Sequence, residues 1–538
     1  MKQLKKVLAL LLAATMVAGM LAGCGKKEEV SDEKQEEIEA SDTEEAVTIT
    51  GWGAMTFNDQ VGYTSYSEQL AWKEIEKRLN ITVDWTNVPA ADKSAQFSLM
   101  MSDSGNLPDF IVDMSPLVME EFGRAGALIA LNDYITPELM PNFCALMEEY
   151  DGVKASITSA DGNIYFFPRI PGKTTRYWAG LFMRSDFLEE VGKEVPTTTD
   201  EFYDVLVAFK ENIDTVTYPL SVNATMLKSL VWSWGIGARG TSTSATDDAY
   251  INSEGQLAYA PTEDAYREAL IYLNKLYEDG LLNPDWNSLT GDDIRTLILN
   301  KEAAVAEGSF AGILTSYNNL LKADGQEPMT YVDPLYGPTG ARIRQGHHID
   351  VDGNYASAIS VNCDNVEAVV RMVDYLYSDE GRELVFWGVE GETFTRNGEI
   401  RELTEAVSTS DLGVATYMNN YNLNASCYTS CMLTDYYQVT LDEIAKAGNE
   451  SLTAVSKTID DIRMPALRYS EEEITEVNTI LADLNAYVDE NFANFINGVI
   501  DIEDDSAWET YLKGFDGLRL EELMGYHQTA YDRWISYK

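Results

Sequence analysis

Val47-Thr48-Ile49-Thr50 is a β-branched run that ends at Gly51-Trp52-Gly53, which predicts a strand entering a loop. From Ser67 onward Leu70, Ile75 and Leu79, with Trp72 alongside, fall near one helical stripe. Ile81-Thr82-Val83-Asp84-Trp85 then alternates with period two. A helix through Gln96 to Met101, a break at Ser104-Gly105-Asn106 and an apolar strand Asp109-Phe110-Ile111-Val112 follow. Strand, helix, strand, helix, strand predicts βαβ units and a parallel sheet covered on its faces. A second alternating region spans roughly Ala179 to Ala306, with helices over Glu201 to Lys210 and Asp264 to Tyr277. From Val366 the pattern is mostly helical: Val366 to Tyr377, Asp442 to Ala447, Glu471 to Asn491 and Trp508 to Leu523. There is no repeat of fixed period, and no eight-fold strand-helix cycle of the kind a (β/α)₈ barrel needs. The span after position 46 exceeds what one core usually covers, so two lobes are expected.

The amino terminus reads differently. Lys2, Lys5 and Lys6 precede an apolar stretch, Val7 to Met20, that is too short and small-sided to span a membrane comfortably. Leu21-Ala22-Gly23-Cys24 then resembles the bacterial lipoprotein signal, in which residues 1–23 are removed and the Cys24 thiol is acylated. An ordinary signal peptide with an incidental cysteine is the alternative. Between Gly25 and Ala46, ten acids face three lysines and only Val30 and Ile38 are sizeable aliphatics. Such a segment cannot bury enough apolar surface to order itself, so 24–46 is expected to be a lipid-anchored, disordered acidic linker.

Charge and composition narrow the chemistry. The formal charge is −49, and becomes −52 once the three leader lysines leave. A field of that sign repels nucleic acid, so no nucleic-acid partner is expected. Past Cys24 only Cys144, Cys363, Cys427 and Cys431 remain, which is no disulfide scaffold. Buried free thiols are the reading for Cys427 and Cys431, with a disulfide between them as the alternative. Three histidines make histidine-rich metal chemistry improbable, and no EF-hand loop is present, so neither metal nor cofactor is expected. G-x-S-x-G, H-E-x-x-H and P-loop signatures are absent. Gly235 to Gly240 matches G-x-G-x-x-G, but no helical pattern follows it and no βαβ unit frames it, so it reads as a loop.

Aromatic residues carry more. Ten Trp and thirty Tyr accompany the 88 acids, and several indoles sit beside Gly, Asn or Pro: Trp52, Trp232, Trp234, Trp286 and Trp387. An indole in such a loop is placed to line a cleft, where it would stack on the C–H face of a sugar ring while acids, amides and arginines bond its hydroxyls. Plain packing is the competing role for each.

Ordered tracts then meet a known pattern. ITVDWTNVP…SLMMSDSGNLPDFIVDM (Ile81 to Met114) resembles family 1 of the extracellular solute-binding proteins of bacterial ABC importers. Further matching tracts are GALIALNDYI (Gly126 to Ile135), DGNIYFFP (Asp161 to Pro168), Phe182 to Lys210, EDGLLNPDW (Glu278 to Trp286) and Val373 to Phe394. The resemblance implies an α/β, type II periplasmic-binding-protein fold: two α/β lobes joined by hinge strands, with a helical C-terminal region. Lobe 1 is expected at 47–175 plus roughly 345–400, and lobe 2 at 176–344 plus roughly 401–538. The implied role is capture of a sugar or oligosaccharide by lobe closure and delivery to ABC permease subunits. The protein would be a monomer anchored on the extracytoplasmic, Gram-positive cell surface. Ligand contact is expected from the five loop indoles, from Trp178 near the hinge with Tyr177, and from Asp109, Arg184 and Glu390. Many relatives carry a calcium loop after the tract VLVAFK; Glu211 to Val222 lacks its ligand spacing, so no calcium is expected there. Two alternatives stay open: a peptide or uronate ligand met by Arg169, Arg176, Arg239, Arg342 or Arg344, and a secreted glycoside hydrolase or lyase.

Overall fold

The computed structural model describes residues 46–55, 63–172, 178–240, 248–342, 351–410, 414–423, 427, 429–455 and 464–538. Cys24 with the segment 1–45, and Arg176, Tyr177 and Arg344, lie outside them.

The alternation at the start of the ordered chain becomes β1 (Val47–Met55) and β2 (Ile81–Pro89), paired in parallel from Val47↔Ile81 to Met55↔Pro89. The connecting helix Leu70–Leu79 buries Ala71, Trp72 and Ile75 on the sheet and ends at Asn80, whose left-handed φ of 53° turns the chain into β2. β3 (Phe110–Met114) is buried at every residue, as a strand covered on both faces must be, and pairs in parallel with β1. β4 is Phe167–Pro168. The strands of the second lobe follow: β5 (Ala179–Arg184), β6 (Ala249–Ile251), β7 (Leu257–Tyr259), β8 (Val305–Ser309) and β9 (Met329–Val332). β10 (Ala356–Ile359) then returns to the first sheet, antiparallel between β3 and β4, to give the order β2-β1-β3-β10-β4.

The second lobe is built on an antiparallel sheet, β8-β5-β9. Its core gathers Phe202, Leu206 and Phe209 from helix Thr199–Asn212 with Leu270, Leu273 and Leu276 from helix Asp264–Glu278. Leu484, Val488 and Phe492 complete it from the 26-residue helix Glu471–Ile496, which starts at a Ser470/Glu473 capping box.

Two expectations are corrected. Residues beyond 400 do not pass at once to the second lobe: Val407, Met418, Leu423, Cys427, Cys431 and Tyr436 belong to the first core. They cover the backs of helices Val366–Tyr377 and Asp379–Phe386, where Asn422 Nδ2 donates to the Phe386 carbonyl at 2.6 Å. The return to lobe 2 comes near Thr440, just before helix Glu443–Val455. The single helix expected over Trp508 to Leu523 is two, Asp505–Gly514 and Leu520–Tyr537, broken at Arg519 with φ 60°. Gly514 lies so close to the Tyr487 hydroxyl that a Cβ there would approach within 2.0 Å.

Three crossings between lobes follow from the cores: Ile170 belongs to the first and Met183 to the second, Leu335 to the second and Val351 to the first, and Tyr436 to the first while Ala445 packs in lobe 2. The first and last crossings run side by side: Ile170 N donates to the Ser430 carbonyl and Met432 N to that of Ile170, each at 2.9 Å. Gly172 makes this approach possible, since its φ is 73° and a Cβ would meet the Met432 carbonyl at 2.7 Å. The last helix adds a contact outside these crossings: Leu523 is buried in the second core, while Trp534 Nε1 donates to Ser156 Oγ of the first lobe at 3.1 Å.

Candidate functional site

Parallel strands present their carboxyl ends to a ligand, because side chains and backbone groups there are freed from the ladder. Asp113, the last residue but one of β3, is 1 % exposed and holds a left-handed φ of 67°, a strained conformation for a residue with a Cβ. Just past β2, Lys93 opens helix Lys93–Met101 and turns its ammonium to the same place. Its Nζ donates to the Asp113 carbonyl at 2.8 Å and lies 3.4 Å from Asp113 Oδ2. Among the described residues neither carboxylate oxygen has a partner besides Lys93. Burial pushes the Asp113 carboxyl up to about 6, against the pull of Lys93 in the other direction.

The neighbouring strands bring more. Ala356 pairs with Met114 on one side and Pro168 on the other, so Tyr355 and Arg169 flank the end of β3. Lys93 Nζ stands 6.0 Å and Arg169 Cζ 5.8 Å from the half-buried Tyr355 ring centroid, both within cation–π reach. Arg169 is 4.0 Å from Asp352 Oδ2, and Asp352 N donates to the Arg169 carbonyl at 2.8 Å. Past β1, Tyr63 meets Tyr421 edge-on at 6.3 Å, and Tyr421 stacks on Tyr417 at 4.5 Å. One edge of the first sheet therefore carries aromatic faces, two cations and two carboxylates.

The second lobe has a cavity of ≈ 40 Å³ beside the crossings, lined by Gly180, Leu181, Ser229, Leu230, Trp232, Ser233, Glu307, Val332 to Leu335 and Leu452. At its rim Asp333 accepts from Ser451 Oγ at 2.9 Å and faces Arg342 at 3.5 Å, while Arg342 lies over the Tyr336 ring at 4.6 Å.

The residues singled out from sequence are scattered. Trp52 packs on Phe97, Trp234 on Tyr272 and Trp286 on Phe492, all buried. Trp387 is enclosed by Phe394 and Tyr436, and Trp232 donates Nε1 to the Ala238 carbonyl at 3.0 Å. The loops expected around them are regular elements: Gly51-Trp52-Gly53 continues β1, Trp232 and Trp234 sit on the short helix Leu230–Trp234, and Trp387 caps helix Asp379–Phe386, so the indoles fill interiors. Trp178 is half-buried at the first crossing, where its carbonyl accepts from Phe310 N at 2.9 Å and Tyr437 Oη at 3.4 Å. Arg184 is fully buried and grips Asp186 and the Ile298 carbonyl. Asp109 accepts from Thr50 N at 2.7 Å and Oγ1 at 2.8 Å, which ties β1 to β3. Glu390 is exposed and pairs with Arg396. Arg239 bridges Asp248 and Asp489 inside lobe 2. Cys427 and Cys431 are buried free thiols. Among the described residues no His/Cys/Asp/Glu group is arranged to hold a metal, and no helix is long and apolar enough to cross a membrane.

Tryptophan positions do not lead to Lys93, Asp113, Asp352 or Tyr355. The available signals were an acid inside the otherwise apolar run FIVDM and a tyrosine in DGNY just before a buried strand.

Known proteins point the same way. The profile described as bacterial extracellular solute-binding protein matches residues 59–383. A fructooligosaccharide ABC transporter substrate-binding protein of Streptococcus pneumoniae serotype 4 is 25% identical, covering 98% of both chains. A polygalacturonan/rhamnogalacturonan-binding protein of Bacillus subtilis is 22% identical over 74% of this chain and 76% of its own. Among solved structures, an alginate-binding protein without calcium superposes with TM-score 0.69 at 21% identity, over 91% of this chain and 99% of that one. These superpositions share the fold.

Proposed function

A chain matched over residues 59–383 belongs to the bacterial extracellular solute-binding protein family, and we propose that this one captures an oligosaccharide between its lobes for an ABC importer. The family consists of binding proteins, and the edge of the first sheet fits that work. The observation that carries the reading is the Tyr355 ring flanked by Lys93 and Arg169 at the carboxyl edge of the first sheet. An aromatic face takes the C–H side of a pyranose or furanose, while ammonium, guanidinium and carboxylate bond its hydroxyls. The name of the streptococcal relative, aligned over 98% of this chain, supports an oligosaccharide as the ligand.

Each cation of the subsite already faces a carboxylate, which favours a neutral sugar. A uronate ligand is the second reading, because a sugar carboxylate could enter between Lys93 and Arg169 in place of Asp352. Trp178, half-buried at the first crossing, is placed to add a second stacking face. Ligand touching both lobes would favour the closed arrangement by its extra contacts there. Acylation of Cys24 would tether the protein by the acidic linker at the outer membrane face.

The test is a thermal-shift and calorimetric screen of fructo-, gluco-, xylo-, manno- and galacturono-oligosaccharides. One neutral oligosaccharide raising the midpoint and binding with 1:1 stoichiometry is the expected result. Failure of every member at saturating concentration would remove the oligosaccharide claim, and a hit confined to galacturonides would select the uronate reading. For the anchor, Cys24→Ala should release the protein from cells into the medium.

A further inference from the structure

Resting on the assignment of sugar to the Tyr355 subsite, we propose that Asp113 is a positioning residue that holds the Lys93 ammonium beside the Tyr355 ring and releases it on taking up a proton. Three independent observations lead there. Lys93 keeps 28% of its side chain exposed and Asp113 only 1%, so the cation is the outward partner and the carboxylate its buried support. Among the described residues the Asp113 oxygens have no partner besides Lys93, whereas a buried acid kept only for architecture is ordinarily bonded several times. Asp113 also occupies a left-handed backbone conformation at the ligand-facing end of β3, the kind of strain that collects at functional positions.

Among the described residues Asp113 is the carboxylate paired with Lys93. From the helix Lys93–Met101 it faces Lys93 itself; from the segment before the last crossing it faces the Cys427 thiol. Burial pushes that thiol up to about 11, so it stays neutral through the working range. One layer outward stand Tyr355, Arg169 and Asp352, and Asp352 is the counter-ion of Arg169. The Asp113 carboxyl titrates at about 6. Above that it is ionised and holds Lys93 against the subsite. Below it the neutral acid no longer attracts the ammonium by charge, which leaves the bond to the Asp113 carbonyl at 2.8 Å as its remaining tie and lets it exchange more freely with water.

The experiment uses the full chain and compares wild type, Asp113→Asn and Lys93→Ala. Affinity for the best oligosaccharide of the screen should fall about tenfold in wild type between roughly pH 7.5 and roughly pH 5, as one charge-assisted contact is lost. Asp113→Asn should bind about tenfold more weakly than wild type near pH 7.5, and both variants should show a flat profile over that range. A readout without ligand runs alongside: the NMR signal of ¹³C-methylated Lys93 should move with a midpoint near 6 in wild type and stay still in Asp113→Asn. A variant with the wild-type affinity profile, or a Lys93 signal that titrates alike in both proteins, would overturn the proposal. If no sugar binds at any pH, the oligosaccharide reading fails by itself and the Lys93 signal still decides the role of Asp113.

Discussion

Glu120 and Asp113 both lie buried in the first lobe, and they are held in opposite ways. Glu120, 2% exposed on helix Pro116–Arg124, accepts from Ser159 Oγ at 2.6 Å, from Arg124, and faces Arg468 at 3.6 Å. Arg468 in turn donates Nε to the Ser156 carbonyl at 2.7 Å and lies over Phe166 at 5.2 Å. Asp113, equally buried, has one lysine at 3.4 Å and, among the described residues, no other partner for its carboxylate. A fully satisfied buried network rigidifies and specifies packing, and here it fastens the C-terminal segment to lobe 1. A poorly satisfied one costs stability and persists for another reason. Satisfaction, rather than burial or charge, separates the architectural acid from the functional one.

The largest effect should come from breaking the satisfied cluster. Arg468→Ala leaves Glu120 short of a partner and opens a gap against Phe166, for a loss of about 3–5 kcal/mol. Urea unfolding followed by tryptophan fluorescence measures it. A loss under about 1 kcal/mol would mean that the cluster is replaceable by water, and the contrast with Asp113 would collapse.

The opposite sign is expected at Asp113. Its folded carboxyl titrates at about 6 against an ordinary 3.8, so the folded state holds a proton that the unfolded chain has given up. Stability therefore falls as pH rises from about 4 to above 6, and the full cost of the buried charge, about 2–3 kcal/mol, stands at neutral pH. Asp113→Asn should raise the thermal midpoint near pH 7.5 and leave it unchanged near pH 4. Destabilisation at neutral pH would place Asp113 beside Glu120 as a structural acid.

How legible this was follows from the length scale of each signal. The parallel βαβ start could be read because its evidence is local: period two in Ile81 to Trp85, a helical stripe through Leu70, Ile75 and Leu79. Gly514 and Gly517 hint at the helix break before Leu520, but the left-handed Arg519 also pairs with Glu476 of the distant helix Glu471–Ile496, which no local pattern reveals. The loop indoles misled for a related reason. Gly235 beside Trp234 signals a turn, and whether the turn shows its indole to water or to a core depends on what packs beneath it, here Tyr272. The Asp113 site was the least legible, since Lys93, Arg169 and Tyr355 come from separate elements that meet only when β10 inserts between β3 and β4.

Ligand contacts sharpen the comparison on a smaller scale. Tyr355→Ala should weaken sugar binding by about 1–2 kcal/mol with little change in the thermal midpoint, because the ring is half-buried and supports no core. Trp286→Ala should do the reverse, since its Nε1 bond to Asn497 and its contact with Phe492 belong to lobe 2. Calorimetry and thermal scans on the two variants give the crossed pattern. Parallel losses in both would mean that affinity merely tracks stability and that Tyr355 is no subsite.

The smallest effect should be at Glu390, expected from sequence to reach the ligand. Its side chain is 52% exposed and 3.2 Å from Arg396, which also engages the more buried Glu383. Water screens a pair in that position, and Arg396 keeps a partner when Glu390 loses its charge. Glu390→Gln should therefore shift stability by less than about 0.5 kcal/mol. Sugar affinity should stay within twofold if only the Tyr355 edge and the crossings touch ligand. A tenfold loss in calorimetric titration would bring the turn at Glu390 into the cleft. It would also show that an exposed, screened acid can serve binding, so that satisfaction sorts the acids of the buried interior alone.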